Sequence, residues 1–182
     1  MFNVSTFMHA CMQSHVHATI SFALAYCNLC VRTLVLAEVL ERLGATKEIL
    51  TGLIHVLTTG TEWAAQSAAR AIGNIAYRPE NLQSFVMLLD ETLRDKLISG
   101  LANLVRDDMR SKSKEYAAMC IANMVVHDVL LASFGKVKGL RDNLALLQNN
   151  ADDTISAEAT RAVTIFNQAR FGTVSWRAPK RI

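Results

Sequence analysis

The cysteines and histidines near the start of the chain are the residues best suited to chemistry. Cys27 and Cys30 have C-x-x-C spacing in "AYCNLC", and further candidate ligands lie upstream at His9, Cys11, His15 and His17. Thiolates and imidazoles at such spacings bind zinc, and paired thiols carry out redox exchange. However, zinc needs four converging ligands, and two histidines that lie two residues apart point to different faces of a helix. A metal or redox site therefore stays open here, beside a purely structural role.

Signatures of catalysis do not accompany these residues. The sequence contains no G-x-S-x-G, P-loop, H-E-x-x-H or glycine-rich phosphate loop. The acid pairs Asp107–Asp108 and Asp152–Asp153 precede predicted helices, where capping and the helix dipole account for them. We expect a protein that is not an enzyme and needs no cofactor or metal.

The composition favours a helical domain in a reducing compartment. Apolar residues make up 51% of the 182 residues, and there are only two prolines, whereas an all-β fold needs many punctuated turns. Four cysteines form no framework of disulfide spacings, which favours the cytoplasm or nucleus over secretion. A formal charge of +3 is too small to imply nucleic-acid binding.

A repeat positions the candidate residues. Four segments share one register, in which Ala begins the segment, a bulky residue is fourth and Asn is sixth. The segments are "ALAYCNLC", "ARAIGNIA", "AMCIANMV" and "AVTIFNQA", which carry Asn28, Asn74, Asn123 and Asn167. The asparagines are 46, 49 and 44 residues apart. This is the period of helical repeats.

Apolar spacing divides each repeat into three helices. Between the Ala…Asn segments, "KEILTGLIHVLTT", "RDKLISGLANLVR" and "GLRDNLALLQ" place apolar residues on one helical face, and shorter apolar helices precede them. Gly44 and Gly135 are predicted left-handed helix stops, and Pro79 a helix start. The predicted N-caps of the third helices are Thr61, Asp108 and Asp153.

The register also bears on the cysteines. Cys27 aligns with Gly73 and Ala122, while Cys30 aligns with Ala76 and Val125. These are small or medium apolar positions of a packed helix, where free cysteine acts as a small hydrophobe. We therefore predict that Cys27 and Cys30 fill the core, and we predict the same for Cys11 and Cys120.

The Ala…Asn segments and three-helix units resemble the armadillo repeat family, over about Ser14 to Arg170. HEAT repeats share the period but use two helices per unit. The resemblance implies an all-α, right-handed α-solenoid of about four repeats, the first incomplete, occupying residues 1–172 before a basic tail at 173–182. It also implies that third helices line a concave groove, in which the asparagines bind the backbone of an extended peptide.

Residues one or two helical turns from each Asn complete the predicted binding set. Beside the four asparagines, this set contains Arg32, Arg70, Arg78, Tyr116, Met119, His127 and Arg170. Nuclear-import adaptors of the family have Trp four residues before the Asn, and this chain has none there; Trp63 and Trp176 fall elsewhere. The arginines instead predict an acidic, extended partner, as in catenin-type grooves. Asparagines that only bond a neighbouring helix, and arginines that only solvate a rim, are the alternatives.

The N-terminal end suggests a second kind of function. It has no charged residue before Arg32 and carries Phe2, Phe7, Met8 and Met12, in a repeat that lacks its first helix. It has no basic segment typical of a signal peptide, and the uncharged run Ala18–Val31 has 14 residues, too few to span a membrane. Such an end favours packing on a partner, on a second copy or on a missing part of a longer parent. The alternative to a peptide-binding adaptor is thus a structural subunit of a larger assembly or homodimer.

Overall fold

The computed structural model describes residues 47–170, with side chains through residue 168. This part of the chain forms eight helices and no strand. The helices are α1 (Lys47–Thr59), α2 (Glu62–Ala76), α3 (Pro79–Leu88), α4 (Glu91–Leu104), α5 (Ser111–Met124), α6 (Asp128–Phe134), α7 (Leu140–Leu147) and α8 (Asp153–Arg170). The predicted three-helix units are confirmed: α3–α5 and α6–α8 are two whole units, and α1 and α2 end a preceding one.

The helices stack as a solenoid. The third helices pack in sequence, α2 on α5 and α5 on α8, and form one layer. The second helices α1 and α4 pack on each other behind them, and each second helix contacts the third helix of its own unit. The predicted all-α solenoid is therefore confirmed over the described residues.

Apolar stripes at helical spacing build the core. In α1, Leu50, Leu53, Ile54 and Leu57 are buried, as the i, i+3, i+4, i+7 pattern predicts. Helix α2 instead buries mostly alanine, including Ala65, Ala68, Ala69 and Ala71, and α5 buries Ala117, Ala118 and Ala122. Small side chains let two helices approach closely, so the layer α2–α5–α8 packs tightly.

Two of the predicted helix boundaries are confirmed. Thr61 is the N-cap of α2, and its hydroxyl accepts a hydrogen bond from the Ala64 N–H at 3.4 Å. Pro79 occupies the first turn of α3, where its missing N–H costs nothing.

Three other boundary predictions are wrong. Gly135 ends α6 with φ −62°, in the right-handed region, and the left-handed glycine is Gly139, with φ 79° before α7. Helix α8 is capped by Asp152 rather than Asp153, since the Asp152 carboxylate accepts from the Thr154 N–H at 3.0 Å. Helix α5 begins after Arg110, two residues beyond Asp108. Gly44, the other predicted left-handed helix stop, lies outside the described residues.

The start of α5 is held by a side chain of another helix, and its N-cap residue Arg110 makes no side-chain cap. The carboxylate of Glu62, in the first turn of α2, accepts from the Arg110 N–H at 2.8 Å and from the Ser113 hydroxyl at 2.8 Å. Asp108 instead pairs with Arg106, Nε to Oδ1 3.2 Å. A side chain 48 residues away in sequence therefore bonds the N-cap N–H of α5 and the Ser113 hydroxyl in its first turn.

Candidate peptide-binding face

One surface of the third-helix layer collects four of the eight described candidate residues: Arg70, Asn74, Tyr116 and Met119. On α2, Trp63, Ser67 and Arg70 lie within about 40° of Asn74 around the helix axis, because 11, 7 and 4 residues are close to whole numbers of turns. On α5, Tyr116 and Met119 occupy the corresponding positions before Asn123. We call these residues, Trp63, Ser67, Arg70 and Asn74 of α2 with Tyr116 and Met119 of α5, the third-helix face.

The three described asparagines do not share one environment. Asn74 is half-buried, and its amide makes no hydrogen bond to a described residue. Asn167 is exposed on α8. Asn123 is only 5% exposed, and its Nδ2 donates to the Gly73 carbonyl oxygen of α2 at 2.8 Å. The bond to a neighbouring helix, which was the alternative role for the asparagines, is thus the one that Asn123 makes.

Arg70 is held against an aromatic ring of the next repeat. Its guanidinium carbon lies 5.3 Å from the centroid of the Tyr116 ring, within the range of a cation–π contact. Both side chains are half-buried. The planar guanidinium stacks on the ring, so the contact positions the Arg70 side chain.

Arg78 and His127 lie at the ends of the third helices α2 and α5. Each is the N-cap residue of the following first helix, α3 and α6. The His127 Nδ1 accepts from the Val129 N–H at 3.3 Å, and its Nε2 lies 3.2 Å from the Gln83 Oε1. His127 therefore ties α6 to α3, whereas the half-buried Arg78 makes no side-chain cap.

The acids beside this face are paired with bases. The Glu62 carboxylate lies 3.5 Å from the Arg110 Nε. The hydrogen bonds from the Arg110 backbone and the Ser113 hydroxyl lower the pKa of Glu62 below its usual 4.5. Glu115 bonds Lys112, which raises the pKa of that amine. Within the described residues 62–78 and 106–115, six basic residues stand against four acidic ones, so this α2–α5 surface carries net positive formal charge.

Trp63 is a residue of this face that the Asn register did not single out. It is 64% exposed, and the Arg110 guanidinium lies 5.7 Å from its ring centroid. The signal in the sequence is its distance of 11 residues from Asn74, three helical turns, rather than the four residues of the import-adaptor pattern.

The remaining candidates divide into one described cysteine and residues outside the description. Cys120 is fully buried, as predicted, and burial raises the pKa of its thiol. The residues outside the described part are His9, Cys11, His15, His17, Cys27, Cys30, Asn28 and Arg32, and the Arg170 side chain.

Within residues 47–168, no group of three or more His, Cys, Asp or Glu side chains is placed to hold a metal. In the same part, no helix has the length and apolar character of a membrane span.

Comparison with solved structures identifies the fold. A designed armadillo repeat protein matches with a TM-score of 0.55 at 23% identity, over 66% of this chain and 48% of that chain. A second one, in complex with the peptide (KR)4, matches with a TM-score of 0.53 at 20% identity, over 79% of this chain and 62% of that one. An engineered protein matches with a TM-score of 0.53 at 21% identity, over 84% and 66%.

These likenesses establish the class of protein. The chain has an armadillo-like repeat fold, as its Ala…Asn segments predict. It spans about half to two thirds of the length of the solved structures that it matches. Neither a protein-family model nor a curated protein matches the sequence.

Proposed function

We propose that this protein is a non-enzymatic interaction module that binds an extended, acidic peptide segment along the third-helix face. The observation that carries the proposal is Asn74, a half-buried amide of this face that makes no hydrogen bond to a described residue. An amide both donates to a carbonyl and accepts from an N–H, so one side chain satisfies both polar groups of a peptide unit. In a helix interior, asparagine is otherwise a poor choice.

The charges beside Asn74 support an acidic ligand. Arg70 lies one turn before it and is held by Tyr116, and Arg78 lies one turn after it. A positioned guanidinium pairs with carboxylates in a fork and loses less conformational entropy than a freely moving side chain. The net positive charge of the α2–α5 surface also accelerates encounter with an acidic chain.

The fold supports a peptide as ligand. A designed protein that shares it is in complex with a peptide, although that peptide, (KR)4, is basic. In this chain, arginines occupy the face where a basic peptide would meet repulsion. We therefore propose the opposite charge preference on a similar scaffold.

The test compares two peptides and two charge reversals. Fluorescent peptides of about ten residues, long enough to cross three helices, alternate Ser with Glu or Ser with Lys. We expect the Glu peptide to bind more tightly. We expect Arg70→Glu/Arg78→Glu to abolish this preference most clearly at low salt, because salt screens exposed charges. Lys96→Glu/Lys136→Glu is the matched control, since both lysines are exposed outside the third-helix face.

Equal binding of the Glu peptide to wild type and to the Arg70→Glu/Arg78→Glu variant would contradict the proposal. The alternative, a structural subunit of a larger assembly or homodimer, would then be preferred. It predicts a stable dimer or obligate complex when the solution mass is measured, and an adaptor predicts a monomer.

A further inference from the structure

Trp63 offers a second kind of contact on the third-helix face. In the described part of the chain, five large hydrophobic side chains are exposed, and the only aromatic ones are Trp63 (64%) and Tyr77 (67%). Both belong to α2 or its C-cap, and they lie on either side of Asn74 along the helix. Trp and Tyr are enriched among the residues that dominate binding energy at protein interfaces. Single exposed hydrophobic residues are common, so the argument needs more than exposure.

The surroundings of Trp63 show a ring that is held in place. The Arg110 guanidinium lies 5.7 Å from the ring centroid. Arg110 is itself fixed by Glu62, through its backbone N–H at 2.8 Å and its Nε at 3.5 Å. A side chain that is already ordered loses little entropy on binding, which is the property of an anchor residue.

The position of Trp63 relates it to the proposed peptide site. It lies about 20° from the direction of Asn74 around α2, and about 16 Å before it along the axis, from 11 residues at 1.5 Å each. Arg70 lies between the two. A ligand that crosses the third helices at Asn74 and turns along α2 over Arg70 therefore reaches the Trp63 ring within about five extended residues of Asn74.

The chemistry around the ring selects the ligand side chain. Arg110 already supplies a cation to Trp63, so a second cation there meets repulsion. A carboxylate alone gains nothing from the negative face of an aromatic ring. An aromatic or aliphatic side chain buries apolar area on the exposed part of the indole, on the order of 100 Å². Arg110 is 60% exposed beside it and suits a neighbouring acid.

We infer that Trp63 is a specificity-determining residue, which takes an aromatic or aliphatic side chain flanked by acids in the bound peptide. This inference rests on the proposed function and narrows its substrate class from acidic peptides to acidic peptides with an apolar anchor. Arg110 is the positioning residue for the ring.

The experiment measures the preference for an apolar residue. The probes are the alternating Ser/Glu peptide and the same peptides with one Ser replaced by Phe at successive positions. We expect one Phe peptide to bind wild type about tenfold more tightly than the Ser/Glu peptide, as an anchor contact does. Trp63→Ala should bring the two affinities together, and Trp63→Phe should restore part of the difference. The matched control is Met87→Ala, because Met87 is 79% exposed on α3, a first helix.

A spectroscopic readout separates contact from indirect effects. In a Trp176→Phe background, Trp63 is the only tryptophan. Binding of the Phe peptide should shift its emission to the blue, because the ring leaves water. An equal Phe preference in wild type and Trp63→Ala would overturn the inference. Tight binding of both peptides without a Phe preference would also overturn it while leaving the proposed function intact, and failure of both to bind would overturn the two together.

Discussion

The Asn123 amide of α5 donates to the Gly73 carbonyl oxygen of α2 at 2.8 Å, across two repeats. One residue further along α2, Asn74 is half-buried and makes no hydrogen bond to a described residue. Two asparagines in the same register therefore have different environments. Asn123 joins neighbouring repeats, whereas Asn74 is the one to which the proposed function assigns the peptide contact.

This difference predicts opposite effects of the same substitution. Asn123→Ala should lower the free energy of unfolding by about 1–2 kcal/mol, because it removes a buried hydrogen bond. Asn74→Ala should leave stability unchanged or raise it slightly, because Ala is the better helix former, and should weaken peptide binding. Urea unfolding of both variants measures the first effect. Equal stability losses would contradict the division of function.

Gly73 predicts a second effect at the same contact. A Cβ added there would lie 2.8 Å from the Met119 Cε and 3.3 Å from the Cys120 Cα. Gly73→Ala should therefore destabilise the protein by about 1–3 kcal/mol through overpacking. Thermal unfolding measures this, and Met119→Ala in the same chain should relieve part of the loss because the nearest atom belongs to that flexible side chain.

Gly52 is the matched control for Gly73. It lies within α1, and a Cβ added there meets nothing within 4 Å. Gly52→Ala should stabilise the protein by about 0.5–1 kcal/mol, since Ala is the better helix former. If both Gly→Ala variants are stabilised, the close approach of α2 and α5 at Gly73 is refuted.

The hydrogen bonds of the Glu62 carboxylate to the start of α5 predict that stability depends on pH in the acid range. The pKa of Glu62 is lowered in the folded protein, first by the Arg110 backbone hydrogen bond and then by the Ser113 hydroxyl. The stability from this carboxylate is therefore present above the unfolded pKa near 4.5 and is lost as the pH falls through the lower folded pKa. As the pH falls from about 4.5 to the lower folded pKa, the free energy of unfolding of Glu62→Gln should fall less steeply than that of wild type. The same slope in wild type and variant would contradict it.

Burial of Cys120 predicts an unreactive thiol. Because burial raises its pKa, the folded protein keeps the neutral thiol at a pH at which an exposed cysteine ionises. Alkylation followed by peptide mass analysis should label Cys120 only after denaturation, with no gain in the native state between about pH 7 and 9. Because the thiol ionises at lower pH in the unfolded chain than in the folded protein, the free energy of unfolding should fall as the pH rises above about 8.5. Rapid native labelling would contradict this.

Local sequence patterns predicted the helices. They did not predict the environment of each asparagine or the start of α5, because those features depend on contacts between residues far apart in sequence. The apolar stripe of α1 and the Ala…Asn register depend on helical periodicity, so both can be recognised in the sequence. The different environments of Asn74 and Asn123 depend on which backbone carbonyl faces each side chain. The start of α5 depends on Glu62, which is 48 residues from Arg110 in sequence. In neither case does the interacting residue lie near its partner in sequence, so local patterns do not reveal the contact.

Under the proposed function, the bond between Asn123 and Gly73 changes the spacing of the amides that a peptide would meet. If every third helix offered its amide, contacts to a peptide would recur at the helix spacing, roughly 8–10 Å. Because Asn123 is used in the α2–α5 contact, the asparagines of the register that remain accessible within residues 47–168 are Asn74 and Asn167, two helices apart. Their separation is about 16–20 Å, or about five to six extended residues. Two distant asparagines would then bind the backbone of the peptide. Between them, the peptide backbone would be hydrated, and only its side chains would contact Tyr116 and Met119.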